Sequence, residues 1–200
     1  MKRLMFVRHV STYANEKGVL CGKLETEINE KGRKELENLY NLLINTEIDA
    51  VYTSGSKRCI ETAEYITRGR DLEIKITDEL SESSFGDFEG MTFKEIEKKF
   101  PDEYKKLCEQ GNKYRFPNGE STEDSYKRVS DEIDEIIKNE ESENILICAH
   151  GGSIRNAFAY LLNNSCDAHW RYKIENASVS IVEIDYGFAV LTALNKGKEI

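Results

Sequence analysis

The chain has three histidines, and two of them stand at the ends of apolar runs. LMFVRH climbs to Arg8-His9, and ILICAH ends on His150, followed by Gly151 and Gly152. Near neutral pH an imidazole can act as nucleophile, proton carrier or hydrogen-bond donor, and a guanidinium is a fixed cation with a planar fork of donors that suits an oxyanion. In open α/β sheets, ligands bind beyond the carboxyl ends of the strands. Two such ends carrying Arg8, His9 and His150 therefore read as an anion site rather than as polar strand termini. The third histidine, His169 in DAHW beside the single tryptophan, reads as a surface residue. The chain as a whole has 28 basic and 37 acidic residues, a formal charge of −9. That balance argues against partnership with nucleic acid or an acidic membrane, both of which need a basic surface. Any anion must be held by a local cationic pocket.

The elements that position these residues are legible as alternating strands and helices. Residues 4–10 have the character of a strand, and Leu36, Leu39, Tyr40 and Leu43 then recur at the spacing of a helix. Residues 49–53 form a second strand, 57–66 a helix and 72–77 a third strand. From 91 to 113 the sequence is charged and helical, interrupted by Pro101, which suits the first turn of a new helix and forces Phe100 out of helical geometry. Ser121, with Asp124 three residues on, caps a further helix whose inward face is Tyr126, Val129, Ile133, Ile136 and Ile137. The most apolar run, 145–149, precedes a helix to about residue 162, and strands near 177–184 and 188–194 close the chain. This order predicts an α/β three-layer sandwich with a mainly parallel central sheet and helices on both faces. A small helical cap is inserted at about 84–120 of a single domain spanning 1–200.

Five cysteines, widely spaced and with no C-x-x-C pair, suggest neither a disulfide framework nor a structural zinc site. No signal-peptide pattern is present at the N-terminus, and no apolar stretch approaches the roughly 20 residues that span a bilayer. A cytoplasmic protein with reduced thiols is expected.

At higher resolution the motifs become specific. VRHVSTYAN resembles the R-H-G-x-T-x-x-N signature of the histidine phosphatase superfamily, which includes the cofactor-dependent phosphoglycerate mutases. GKLETEINEKG, YTSGSKRCIETA, LSESSFGDFEGMTFKEI, PNGES and ILICAHGGSIR are similar to further stretches of that family, in family order, from about residue 3 to residue 160. The resemblance implies that the His9 imidazole attacks phosphorus and forms a phosphohistidine. Arg8 and Arg58 would supply bidentate forks to the phosphoryl oxygens, and Thr12 and Asn15 neutral donors. His150 would be a charged donor to the same oxygens, complemented by the Gly151 amide at a helix start. Of the nearby carboxylates Glu79 and Glu82, spacing to Phe85-Gly86 selects Glu82 as the match to the family's proton donor, Glu79 being a surface residue and Glu89 structural. The arrangement requires no metal and no cofactor.

Within the family, the short span between Glu82 and Thr92 favours a phosphatase over a mutase. The motif set and length are most similar to α-ribazole phosphatase-type members, which implies a phosphomonoesterase removing the 5′-phosphate of α-ribazole 5′-phosphate in cobalamin biosynthesis. Alternatives are a broad-specificity sugar or small-molecule phosphatase, a phosphoglycerate mutase, or a non-catalytic phosphate-binding protein. A small phosphorylated substrate is the expected partner, for a monomer or small homo-oligomer. Tyr104, Tyr114, Arg115 and Phe116 of the cap either stack on an aromatic base or pack cap against core. Four positions depart from the pattern: Val10 stands where the family has glycine after the nucleophile, which motivates the non-catalytic alternative, and Gly55 where it has proline, while Ser11 and Glu25 also differ without implying a loss of function.

Overall fold

The computed structural model describes residues 1–198. In chain order its elements are β1 (Lys2–Arg8), α1 (Tyr13–Lys17), α2 (Glu30–Leu43), β2 (Ala50–Ser54), α3 (Lys57–Thr67) and β3 (Ile74–Thr77). These are followed by α4 (Phe93–Lys99), α5 (Pro101–Gln110), α6 (Thr122–Asn139), β4 (Asn144–Ala149), α7 (Gly151–Asn163), β5 (Val179–Asp185) and β6 (Phe188–Lys196). One sheet runs β3-β2-β4-β1-β5-β6. The first four strands in that order are parallel, β5 runs antiparallel to β1, and β6 runs antiparallel to β5.

Both faces of the sheet are covered, which explains the unbroken apolar runs of β1 and β4. Met5 and Val7 pack with Leu146 and Cys148 against Leu36, Leu39, Ala63 and Ile66 of α2 and α3. Leu4 and Phe6 pack with Ile145 and Ile147 on the opposite face against Val129, Ile133, Ile154 and Phe158 of α6 and α7. Phe6 and Phe158 meet edge to face at 5.2 Å. Alternate residues of one strand thus serve two cores.

The chain leaves β1 for β2 and β3 on one side and leaves β4 for β5 on the other. Its course therefore reverses between two strands that are hydrogen-bonded neighbours, with Arg8 directly opposite Ala149. That reversal creates a crevice at the carboxyl ends, where Arg8-His9 and His150 emerge side by side.

Between β3 and α6 the chain builds the expected helical cap. Phe88, Ile96, Tyr114 and Phe116 form its own small core, with Leu20 and Phe85 packed against it. Pro101 opens α5, and Phe100 leaves helical geometry at φ −134°, ψ 60°, as the residue before a proline must. Ser121 and Asp124 form a reciprocal capping box at the start of α6. The inward face of α6 is narrower than its periodicity suggests, since Tyr126 and Ile137 lie half-buried at its margins while Val129, Ile133 and Ile136 are buried. Among the described residues no helix is long and apolar enough to cross a membrane.

Candidate active site

Arg8, His9, Thr12, Asn15, Arg58 and Glu82 converge from four segments on a cavity of about 140 Å³ in the crevice. His150 stands directly behind, its ring 5.2 Å from that of His9. Gly151 begins α7 against the Arg8 guanidinium, and a Cβ there would sit 3.2 Å from Arg8 Cζ. The structure thus brings together all eight residues singled out in the sequence.

Each is held by an identifiable constraint. His9 Nδ1 lies 2.8 Å from its neighbour's carbonyl, Val10 O, so Nδ1 carries the proton and Nε2 is left with a lone pair. Burial, then the charges of Arg58 and Arg8, push the His9 imidazole well below its ordinary value of 6.5. His150 is depressed in the same way, by burial first and then by Arg58, and its Nε2 lies 2.8 Å from Ser54 Oγ. Burial and these cations thus disfavour the charged form expected of His150.

Arg58, on α3, is only 2% exposed. Its terminal nitrogens donate to the carbonyls of Leu24 (3.1 Å), Cys21 (3.2 Å) and Gly22 (2.9 Å). The loop that offers those carbonyls is fixed through its amides: the Glu89 carboxylate accepts from Gly22, Lys23, Leu24 and Phe85 at 2.9–3.3 Å. Glu89 is structural, as expected, and it acts on Arg58 through the loop. Arg8 donates from Nη1 to Ile174 O at 2.6 Å, while among the described residues its buried Nε has no hydrogen-bond partner. A buried donor of this kind is satisfied by an oxyanion in the cavity.

Asn15 Oδ1 accepts from Thr12 N (3.1 Å), Thr12 Oγ1 (3.0 Å) and Asn176 Nδ2 (3.1 Å). Its own Nδ2 is thereby the group left to donate, and the Thr12 hydroxyl works through Asn15. Asn176 escaped the sequence reading, since it lies 161 residues away and matches no motif. It also donates to His9 O at 3.1 Å. The Glu82 carboxylate accepts from Ser83 N and Gly152 N, both at 3.0 Å. A Cβ at Gly152 would approach Glu82 Oε1 to 2.1 Å, so a side chain there would displace the carboxylate from its present seat. Glu79 is exposed, as expected.

Val10 does not obstruct the site. It is fully buried in the core under α3, with its amide facing Thr62 Oγ1 at 3.4 Å, and it is absent from the residues of positive φ. Its side chain fills core rather than the cavity, and its backbone needs no left-handed φ.

A second cavity, of about 450 Å³, adjoins the first across Leu20, Glu82 and Phe85. Here one expectation is corrected. His169 is not a surface residue: it is 4% exposed, with Nδ1 2.6 Å from Asn156 Oδ1, because its 3₁₀ segment folds back beneath α7. Of the cap residues, Tyr104, Tyr114 and Phe116 pack the cap's own core, the last two also lining the cavity, and Arg115 pairs with Asp124 at 2.7 Å. Exposed rings reach the cavity from Phe93 and Trp170 instead. Among the described residues no three His, Cys, Asp or Glu side chains cluster as metal ligands.

A doubly wound sheet with this cationic crevice defines an α/β protein with a built oxyanion site. The chain belongs to the histidine phosphatase superfamily (branch 1), whose family model matches residues 4–197. It is 31% identical over 193 residues to the adenosylcobalamin/alpha-ribazole phosphatase of Salmonella typhimurium, covering 96% of each chain. It is 28% identical over 195 residues to phosphoserine phosphatase 1 of Hydrogenobacter thermophilus, covering 98% of this chain and 92% of that one. The crystal structure of the alpha-ribazole phosphatase from Shigella flexneri superposes with a TM-score of 0.93 at 28% identity, covering 98% of this chain and 96% of that chain.

The depressed histidines give a signed prediction for stability. In the unfolded chain an imidazole titrates near 6.5, whereas folded His169 is held at about 4, by burial first and then by Arg155. Below pH 6.5 the unfolded state binds the extra proton, so this stability is complete above 6.5 and is lost as pH falls towards 4. Urea unfolding of wild type and His169→Gln should show the wild type losing about 2 kcal/mol more between pH 8 and pH 5. Parallel losses would show that His169 titrates normally.

Proposed function

We propose that this protein is a phosphomonoesterase that works through a phosphohistidine on His9 and takes an aromatic nucleoside 5′-phosphate of the α-ribazole 5′-phosphate type, in cobalamin biosynthesis. The observation that carries this reading is the position of Glu82 on the wall shared by the small cationic cavity and the large aromatic one. A phosphoryl group in the first and its alcohol in the second place the bridging ester oxygen at the Glu82 carboxyl.

His9 Nε2 attacks phosphorus, the P–O ester bond breaks, and the Glu82 proton passes to the departing alkoxide. Water then attacks the phosphohistidine, losing its proton to the Glu82 carboxylate as the N–P bond breaks. Inorganic phosphate leaves and Nε2 regains its lone pair. Arg8, Arg58, Asn15, the Gly151 amide and His150 surround the equatorial oxygens, on which negative charge is spread during transfer. His9 is neutral without help from a base, since burial and two guanidiniums keep it so.

The rings of Phe85, Phe93 and Trp170 around about 450 Å³ favour a large aromatic alcohol. O-phosphoserine would fill a small part of that space. A second reading has one observation in its favour: Arg155 lines the same cavity and could take a carboxylate such as that of O-phosphoserine.

Three measurements test this. Quenching turnover in base should trap an acid-labile, base-stable phosphoryl label that His9→Ala abolishes; a labelled serine or aspartate would refute the assignment. In kcat/KM, α-ribazole 5′-phosphate should exceed O-phosphoserine, and the reverse order would transfer the assignment to the amino-acid ester. Glu82→Gln should lower kcat for the ribose ester by about 10²-fold or more, with a much smaller loss for 4-nitrophenyl phosphate, whose leaving group departs unprotonated. Equal losses would mean that Glu82 only positions phosphate or water.

A further inference from the structure

His169 has no part in the chemistry above, yet its surroundings are built. It lies on the 3₁₀ segment after α7, and its Nδ1 faces Asn156 Oδ1 at 2.6 Å. Asn156, fully buried on α7, directs Nδ2 to Ser125 Oγ at 3.0 Å. Arg128 Nη2 approaches the same hydroxyl at 3.5 Å, and its guanidinium pairs with Glu120 at 3.0 Å. With the amide oxygen turned to the ring, Nδ1 carries the imidazole proton and Nε2 a lone pair. Among the described residues no donor reaches Nε2, and the ring lines the larger cavity beside Gly152, Arg155 and Trp170. Nε2 is the acceptor that the ring can offer to a ligand in that cavity. The imidazole also stays neutral, hence an acceptor, across the neutral range.

We propose that His169 Nε2 accepts a hydrogen bond from a hydroxyl of the leaving alcohol, so that the enzyme selects sugar-type phosphoesters over otherwise identical esters lacking that hydroxyl. The donor is a hydroxyl rather than an ammonium because Arg155, close enough to depress the imidazole, lines the same cavity and repels a second cation. This deepens, and rests on, the phosphatase reading of His9 and Glu82. It adds a specificity-determining residue to the wall opposite the cap.

The test compares kcat/KM for adenosine 5′-phosphate with its 2′-deoxy and 3′-deoxy counterparts, taking 4-nitrophenyl phosphate as an ester without a sugar hydroxyl. Removing one of the two ribose hydroxyls should cost the wild type about 10-fold or more, because a site built to hydrogen-bond a hydroxyl rejects the analogue that lacks it. His169→Phe should erase that ratio. His169→Leu, which fills part of the same wall without an acceptor, should erase it as well, and it serves if His169→Phe fails to fold. Equal kcat/KM for all three nucleotides in the wild type would overturn the proposal. So would a His169→Phe variant that loses the nucleotides and the nitrophenyl ester in equal proportion, the mark of a packing role. Wild type that leaves nitrophenyl phosphate intact would instead refute the phosphatase reading beneath it.

Discussion

The structure is organised around two guanidiniums, Arg58 fully buried and Arg8 half-buried, neither in an ion pair with a carboxylate among the described residues. Arg58 is the largest of the fully buried side chains, and the partners of Arg58 and Arg8 are backbone carbonyls. Withdrawing such a cation from water costs several kcal/mol, and carbonyl dipoles offset only part of it. A carboxylate placed directly on either fork would offset more and would compete with a phosphoryl group for it. The chain keeps its acidic residues one step back: Glu89 grips the amides of the 22–24 loop, and that loop offers its carbonyls to Arg58. A protein of net charge −9 thus maintains a local positive potential by interposing peptide groups between opposite charges.

The same cations set the state of the histidines. Two guanidiniums beside His9 and His150 add to burial in disfavouring the imidazolium, and a neutral imidazole is what an attacking nitrogen must be. In the proposed reaction, the features that attract the phosphoryl group therefore also maintain its nucleophile, with no separate general base. What remains is to aim the ring, and the Val10 carbonyl does that through Nδ1.

The legible part of this arrangement lay in local chemistry. Pro101 and the Ser121–Asp124 capping box specify their helices within a few residues of themselves, and the apolar runs of β1 and β4 announce strands buried on both faces. His9, Arg58, Glu82 and His150 stood in spaced motifs. What could not be read depends on contacts between distant segments. His169 lies between Asp167 and an exposed Trp170 in a short 3₁₀ segment without apolar period, so nothing nearby reports that Asn156 draws it inward. Asn176 acts on Asn15 across almost the whole chain. Phe93 sits at the start of a cap helix whose periodicity describes the cap's own core and not the cavity it faces.

Val10 shows why a departure from a family pattern has to be judged by geometry. Glycine after a nucleophile matters if the backbone needs a left-handed φ or if a side chain would enter the cavity. Neither condition holds, since Val10 avoids positive φ and joins the core of Leu36, Ala63 and Cys148. The substitution is a packing change beneath the site, and the motive for a catalytically silent protein falls with it. Water access bears on the reaction in a different way. Glu82 borders a third, polar groove of about 450 Å³, lined by residues including Ser56, Ser81, Asp78 and Arg128. With the alcohol in the aromatic cavity and the phosphoryl group in the cationic one, this groove gives solvent its own approach to the carboxylate. In the proposed mechanism, a transfer between two phosphorylated positions would require water to be kept from the phosphohistidine, whereas this groove leads water to the carboxylate assigned to activate it, which favours hydrolysis.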